Sequence, residues 1–296
     1  MRALLAFIRL SRPLFLFGGF AGVALGAAVA ARTGHAVDLA TYGWVQLLVT
    51  SFQLMVHYAN DYFDCASDRR AVPTPWSGGS GVLASGALPR RTALVAAVFW
   101  AAYGALVATR FALTGNAVAA ELSFAILILA WMYSAPPLRL AWRGLGELDT
   151  ALVVAVLVPA VAYAAFARSL DARLFAAASP GFIAMLAMML CVELPDAGWD
   201  YLSGKRTLVV RFGAARTWVI AAALAGAAST VGLALGEKVA GVAGVLAFVP
   251  ACLAAGAIGL AATRDPRPAT LAFRGVALYA LTVTGAAVAY VLARPA

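Results

Sequence analysis

The sequence predicts an all-α polytopic membrane bundle of nine transmembrane helices, arranged as two pseudo-repeated halves around a central cavity. Three observations predict it. Composition is 64% hydrophobic and only 12% charged, with mean hydropathy +0.89, where a soluble domain is about half apolar and a quarter charged. Apolar runs of roughly 20 residues, enough to cross the hydrocarbon core, recur along the chain. The runs are continuous rather than alternating, which excludes a strand barrel.

The first run, 13–31, follows Arg2, Arg9 and Arg12. It resembles a signal peptide but is long for one, and similar runs follow, so it reads as a retained helix. The others are 39–60, 92–109, 113–134, 150–167, 174–194, 217–236, 239–262 and 272–293. Three carry a breaker or charge: Glu121 in the fourth, Pro250 in the eighth and Arg274 in the ninth. The whole chain, 1–296, reads as a single membrane domain.

Nine spans place the termini on opposite sides. On one side lie Arg2, Arg9, Arg12, Arg69, Arg70, Arg90, Arg91, Arg139, Arg143, Lys205, Arg206, Arg211, Arg216, Arg264 and Arg267; on the other lie Arg32, Arg110, Arg168, Arg173, Lys238 and Arg294. This asymmetry of 15 to 6 predicts an N-terminus inside and a C-terminus outside, in a bacterial-type inner or plasma membrane. Because the basic residues punctuate apolar runs, the net charge of +9 points to topology and anionic headgroups or substrates, not to nucleic acid. Cys65, Cys191 and Cys252 are far apart and suggest neither a disulfide framework nor a zinc site.

Against this background the stretch "HYANDYFDCASD" (57–68) stands out. Asn60, Asp64 and Asp68 recur every four residues and share one helix face, with Asp61 at its border. A second stretch, "ELPDAGWDYLSGKRTL" (193–208), repeats the device with Asp196 and Asp200, and Pro195 interrupts the helix ahead of them. Like charges one turn apart repel, so the pattern makes sense around a cation. Oxygen donors select Mg²⁺ or Ca²⁺, and Mg²⁺ favours one or two carboxylates plus substrate phosphates. Lys205, Arg206, Arg69 and Arg70 lie beside the acids, suited to the phosphates' remaining charge. A faint repeat links "LASGALPRRTALV" (83–95) to "LVVRFGAARTWVI" (208–220), consistent with two related halves.

Together, Asn60-Asp61-x-x-Asp64-x-x-x-Asp68 resembles the NDxxDxxxD motif of the UbiA superfamily of intramembrane prenyltransferases, and Asp196-x-x-x-Asp200 its DxxxD motif. The resemblance spans nearly the whole chain. Within the superfamily, "WSGGSGVLASGAL" (76–88), "YSAPPLRLAWRGLGEL" (133–148) and "PDAGWDYLSGKRTLVVRFG" (195–213) look most like the MenA branch, which prenylates 1,4-dihydroxy-2-naphthoate in menaquinone biosynthesis. One departure is Glu193-Leu194-Pro195, where MenA-like sequences often carry an amide or arginine. The resemblance implies Mg²⁺ held by Asn60, Asp64, Asp68, Asp196 and Asp200. Asp61 would be a ligand or an orienting neighbour. Arg139, Lys205 and Arg206 would meet the diphosphate, with Arg12 and Arg69 behind them. It implies a polyprenyl diphosphate and an aromatic acceptor as substrates, and the lipid bilayer as the setting. Other acceptors within the superfamily are 4-hydroxybenzoate, homogentisate, tetrapyrroles and glyceryl lipids.

Tyr58, Tyr62 and Tyr133 offer π-faces to an allylic cation, or ordinary interfacial packing. His57 reads as a site-tuning or a packing residue, His35 as solvated, and Glu121 as a polar contact inside the bundle or a proton site. Gly78, Gly79 and Gly81 suit a phosphate cradle or a tight turn. The rival class is a cation-coupled secondary transporter, but both acidic clusters lie at helix ends rather than at the midplane. The D-x-x-D-G-x-x-A-R block of CDP-alcohol transferases is absent.

Overall fold

The computed structural model describes residues 2–69, 79–264 and 267–293, and among these it is all helical, without strands. Arg70 and Gly78 lie outside the described residues, as do the side chains of Arg264 and Arg294. An amphipathic helix α1 (Arg2–Leu10) leads through a 3₁₀ turn (Pro13–Leu16) into α2 (Phe17–Arg32). The chain continues as α3 (Leu39–Asp68), α4 (Arg90–Leu113), α5 (Ala117–Met132), α6 (Gly146–Leu152) and α7 (Val158–Ala167). It then forms α8 (Ala172–Glu193), α9 (Ala197–Ser203), α10 (Leu208–Phe212), α11 (Ala214–Arg264) and α12 (Pro268–Leu292).

Among the described residues, seven helical stretches are long and apolar enough to cross a membrane, and α5 is a shorter apolar helix of 16 residues. The longest stretch, Ala214–Ala261, would extend roughly 70 Å if straight, more than twice the hydrocarbon thickness. It is broken at Ala240 (φ −137°) and Gly241 (φ +57°), just inside the expected span 239–262 rather than in the gap at 237–238 that precedes it. Gly241 supplies the left-handed backbone that a side chain would strain.

One apolar core gathers α8, α11 and α12 against α2 and α7; a second gathers α3, α4 and α5 against the other side of α2 and α7. Small residues let these backbones approach, as membrane helices require: a Cβ at Gly26 would strike Ala162 and the Tyr163 backbone. Residues such as Leu106, Phe99, Leu253 and Val291 cover the outer surface with apolar groups, a lipid-facing exterior for the bundle. Glu121, expected inside the bundle, is instead exposed near the start of α5. The periodicity of a short, uniformly apolar helix does not reveal which face turns inward.

Where the two acidic motifs sit, the helices differ from the expected spans. α3 runs eight residues past 60, so Asn60, Asp64 and Asp68 occupy one continuous helix. α8 gives way to a 3₁₀ turn (Leu194–Asp196) at Pro195, and α9 carries Asp200. A π turn (Val153–Leu157) joins α6 to α7 directly before Pro159, whose missing N–H leaves the Ala155 carbonyl without its i+4 donor.

Candidate active site

The two motifs converge on one cavity of about 280 Å³. Asn60, Asp64 and Asp68 line it from α3, Asp196 and Asp200 from the α8–α9 segment, and Lys205 and Arg12 from their flanking loops. Its remaining walls include Leu14, Phe15, Phe17, Val153, Val154 and the methionines Met185, Met188 and Met189. A charged end and an apolar remainder suit a molecule with an anionic head and a hydrocarbon body.

Asp64 is the hub of the charged end. It is 2% exposed. One oxygen accepts from Trp142 Nε1 at 2.8 Å. The other accepts from Asn60 Nδ2 at 3.1 Å and Lys205 Nζ at 3.2 Å. Lys205 also reaches Asp200 Oδ1 at 3.3 Å, so one ammonium bridges the two motifs across 141 residues of chain. Burial alone would lower the lysine's hold on its proton, but Asp64, Asp200 and Asp68 outweigh it and keep its pKa above the ordinary value.

Asp61 does not line the cavity. Its oxygens are held by Arg12 and by the Ser80 hydroxyl and N–H. Arg12 also donates to Asn60 Oδ1 at 3.1 Å, and its buried Nε has no partner among the described residues, which leaves a donor for an anion in the cavity. Arg12 and Arg139 share a left-handed backbone, both with φ +47°, an uncommon conformation for a residue with a Cβ.

The remaining basic candidates separate. Arg139 does not line the cavity; its Cζ lies 3.7 Å over the Trp142 ring. Arg206 is exposed, and its backbone N–H donates to the Trp142 carbonyl at 2.9 Å. Arg69, the C-cap residue of α3, is also exposed. Among the tyrosines, Tyr58 stacks on Phe7 and Tyr62 lies under Arg90, whereas Tyr133 lines the cavity. His57 lines the cavity too, with Nδ1 2.8 Å from the Ser11 carbonyl oxygen. His35 packs edge-on against Tyr163.

Residues that sequence reasoning did not single out complete the site. Trp142 touches Asp64 and underlies Arg139, and Ser80 fixes Asp61. Asp149, Glu193 and Tyr279 join the cavity wall. In the sequence Glu193 stands out only as a departure just ahead of the second motif. No local pattern marks these residues, because the packing of helices far apart in sequence brings them to the site.

Among the described residues, no three His, Cys, Asp or Glu side chains are drawn together tightly enough to hold a metal ion as they stand. Gly79 matters to this geometry. It has φ +71°, and a Cβ built on it would collide with the Asp68 carboxylate. Gly79→Ala is expected to displace Asp68 and cut turnover about tenfold or more, beyond a backbone strain of roughly 1 kcal/mol. Steady-state kinetics alongside a thermal melt separates the two effects; an unchanged rate would show that Asp68 tolerates displacement.

No curated protein is significantly similar in sequence. The fold is similar to solved structures across almost their full length. A UbiA homolog from Archaeoglobus fulgidus bound to GPP and Mg²⁺ superposes with TM-score 0.67 at 17% identity, covering 95% of this chain and 98% of that one. An apo UbiA homolog from Aeropyrum pernix K1 gives TM-score 0.67 at 17% identity, covering 92% and 96%. A digeranylgeranylglyceryl phosphate synthase gives 0.61 at 15% identity, covering 97% and 99%. The sequence model of the UbiA prenyltransferase family matches residues 20–292, so the chain with its two converging aspartate motifs belongs to that family.

Proposed function

We propose that the protein transfers a prenyl group from a polyprenyl diphosphate to 1,4-dihydroxy-2-naphthoate, a step of menaquinone biosynthesis, with Mg²⁺ as cofactor. The observation that carries the reading is the meeting of Asp64 and Asp200, from separate motifs, on one cation, the Lys205 ammonium. A site that places positive charge between these carboxylate oxygens fits a hard cation such as Mg²⁺. Asn60, Asp64, Asp68, Asp196 and Asp200 would hold the ion. When bound, Mg²⁺ offsets the charge of the departing diphosphate.

The chain's own residues do the remaining work. Lys205, released from one or both aspartates as diphosphate enters, donates to its phosphate oxygens. Arg12, aimed by Asp61, donates through its free Nε. These donors are fixed where charge develops as the allylic C–O bond breaks, so they favour the transition state over the bound substrate. Tyr133 presents its ring to the allylic cation, and the methionine-rich wall accommodates the hydrocarbon body. Arg139, stacked on Trp142, acts at one remove, by fixing the indole that donates to Asp64.

The similar solved structures that contain GPP or DMAPP together with Mg²⁺ support the donor class and the ion. The "YSAPPLRLAWRGLGEL" stretch supports the MenA-type acceptor. The test is a panel: membranes containing the protein, a labelled prenyl diphosphate, and the aromatic or glyceryl acceptors in parallel. Mg²⁺-dependent prenylation of 1,4-dihydroxy-2-naphthoate is expected. Product from a different acceptor alone would replace that acceptor, and no diphosphate release with any would overturn the enzyme reading.

We further propose one membrane domain over 1–296 with nine crossings in two halves, counting α5 and each side of the Ala240–Gly241 break, and with the acidic motifs cytoplasmic. The 15 to 6 basic asymmetry supports that orientation. A reporter fused after Ala296 and active only outside the cytoplasm is the expected result; one active only in the cytoplasm would invert the topology.

A further inference from the structure

Beyond the charged end, the cavity holds polar groups for which neither the metal nor the diphosphate accounts. Asp149 sits on α6, 7% exposed, and its Oδ1 has no hydrogen-bond partner among the described residues. Tyr279 sits on α12, 3% exposed, and its hydroxyl is likewise partnerless. Both line the cavity. Buried polar atoms are almost always paired, and leaving one unpaired costs about 1–3 kcal/mol. Two such atoms from different helices, facing the same space, mark a place where a ligand's polar groups belong.

The two groups lie on adjoining stretches of wall. Thr150, Val153 and Val154 continue the lining from Asp149 along the π turn. A Cβ on Gly18 would meet both Val154, at 3.3 Å, and Tyr279, at 3.6 Å. Glu193, whose Oε2 is likewise partnerless, lines the cavity as well, and the Glu147 carboxyl is its neighbour. The charge here is acidic, whereas the cations of the cavity, Arg12 and Lys205, belong to the charged end. An anion is therefore unwelcome beside Asp149, and a hydrogen-bond donor is favoured.

We propose that Asp149 and Tyr279 form the acceptor subsite, which takes an aromatic ring bearing a hydroxyl, with that hydroxyl donating to Asp149 and Tyr279 bonding a second oxygen. This rests on the aromatic-acceptor reading above and says which end of the ring faces which wall. A carboxylate on the same ring faces Arg12 and Lys205. In the transfer, the allylic C–O bond breaks and diphosphate leaves with the electron pair. A ring carbon bonds to the prenyl C1, and the hydroxyl proton passes to Asp149. The proton at the alkylated carbon then passes to the departed diphosphate, or a carboxylate there leaves as CO₂ with its C–C electron pair left on the ring; the proton held by Asp149 returns to the hydroxyl oxygen, and the ring is aromatic again.

The test uses the full-length enzyme in lipid nanodiscs with geranyl diphosphate, its unreactive thiolodiphosphate analogue, and 1,4-dihydroxy-2-naphthoate. Asp149→Asn is expected to lower kcat/KM for the acceptor about 10²-fold, by the loss of a proton acceptor. Tyr279→Phe, a near-isosteric change, is expected to raise the acceptor's KM roughly tenfold with kcat little changed. Both variants should bind the thiolodiphosphate with Mg²⁺ as tightly as wild type. If both variants stay within threefold of wild type on a hydroxylated acceptor that wild type prenylates, the subsite is wrong while the acceptor reading survives. If Asp149→Asn weakens thiolodiphosphate binding tenfold, Asp149 belongs to the metal site and the proposal falls. If wild type prenylates only rings without a hydroxyl, both readings fall.

Discussion

Replacing Asp64 with alanine is expected to lower single-turnover prenyl transfer by about 10³-fold or more while leaving the protein inserted and monodisperse. The reason is the number of tasks this carboxylate combines. It is buried, it accepts from Trp142, Asn60 and Lys205, and it belongs to the oxygen set proposed for Mg²⁺. Without it, the Trp142 N–H loses its acceptor, and Lys205 keeps only Asp200 of the pair it bridges. A group that stabilises transition-state charge in a dry site accounts for rate factors of about 10²–10³ singly, and Asp64 also anchors two others. Asp64→Asn, which preserves volume and can still accept from Trp142, should be nearly as impaired, because charge rather than shape is what the cation requires. Asp196→Ala should behave alike, from the opposite motif. If either alanine variant retains the wild-type rate at saturating Mg²⁺, its motif is structural and the two-motif site is wrong.

The second large effect falls on Lys205 and spares its neighbour. Lys205→Ala is expected to cost about 10²–10³ in rate, or about 2.7–4 kcal/mol, the range for losing one donor to a developing anion. Lys205→Arg should recover little of it. A planar guanidinium with five fixed donors does not fit between Asp64 and Asp200, where one compact ammonium sits 3.2 and 3.3 Å from their oxygens. Arg206→Ala should stay within threefold, since that side chain is exposed and its backbone, not its charge, bonds to Trp142. Equal losses at both positions would mean that the loop rearranges on substrate binding and brings Arg206 inward.

This contrast shows where sequence reasoning stops. Asn60, Asp64 and Asp68 were legible because four-residue spacing has a single consequence on a helix, whatever surrounds it. The interruption at Pro195 was legible for the same local reason. Lys205 and Arg206 were not separable, because consecutive residues in a loop carry no periodicity to assign them sides. Ser80, Trp142, Asp149 and Tyr279 were silent. Each acts through a contact set by how helices pack, and small-residue contacts such as Gly26 against Ala162 determine that packing. Arg139 was placed on the diphosphate by resemblance; its stacking on Trp142 depends on a left-handed turn that no residue type announces.

The break at Ala240–Gly241 governs how the C-terminal part of the chain is made. A turn this short brings residues 214–239 and 242–264 together at little loop-closure cost. Gly236 and Gly244 touch directly across it. The pair can therefore enter the bilayer as a preassembled hairpin rather than as two successive crossings. Glu237 and Lys238, just before the turn, then travel through the hydrocarbon side by side, as a nearly neutral unit. Lengthening this turn with a flexible insert would make each helix enter alone, and the defect would appear in the yield of inserted protein long before it appeared in the activity of the molecules that succeed.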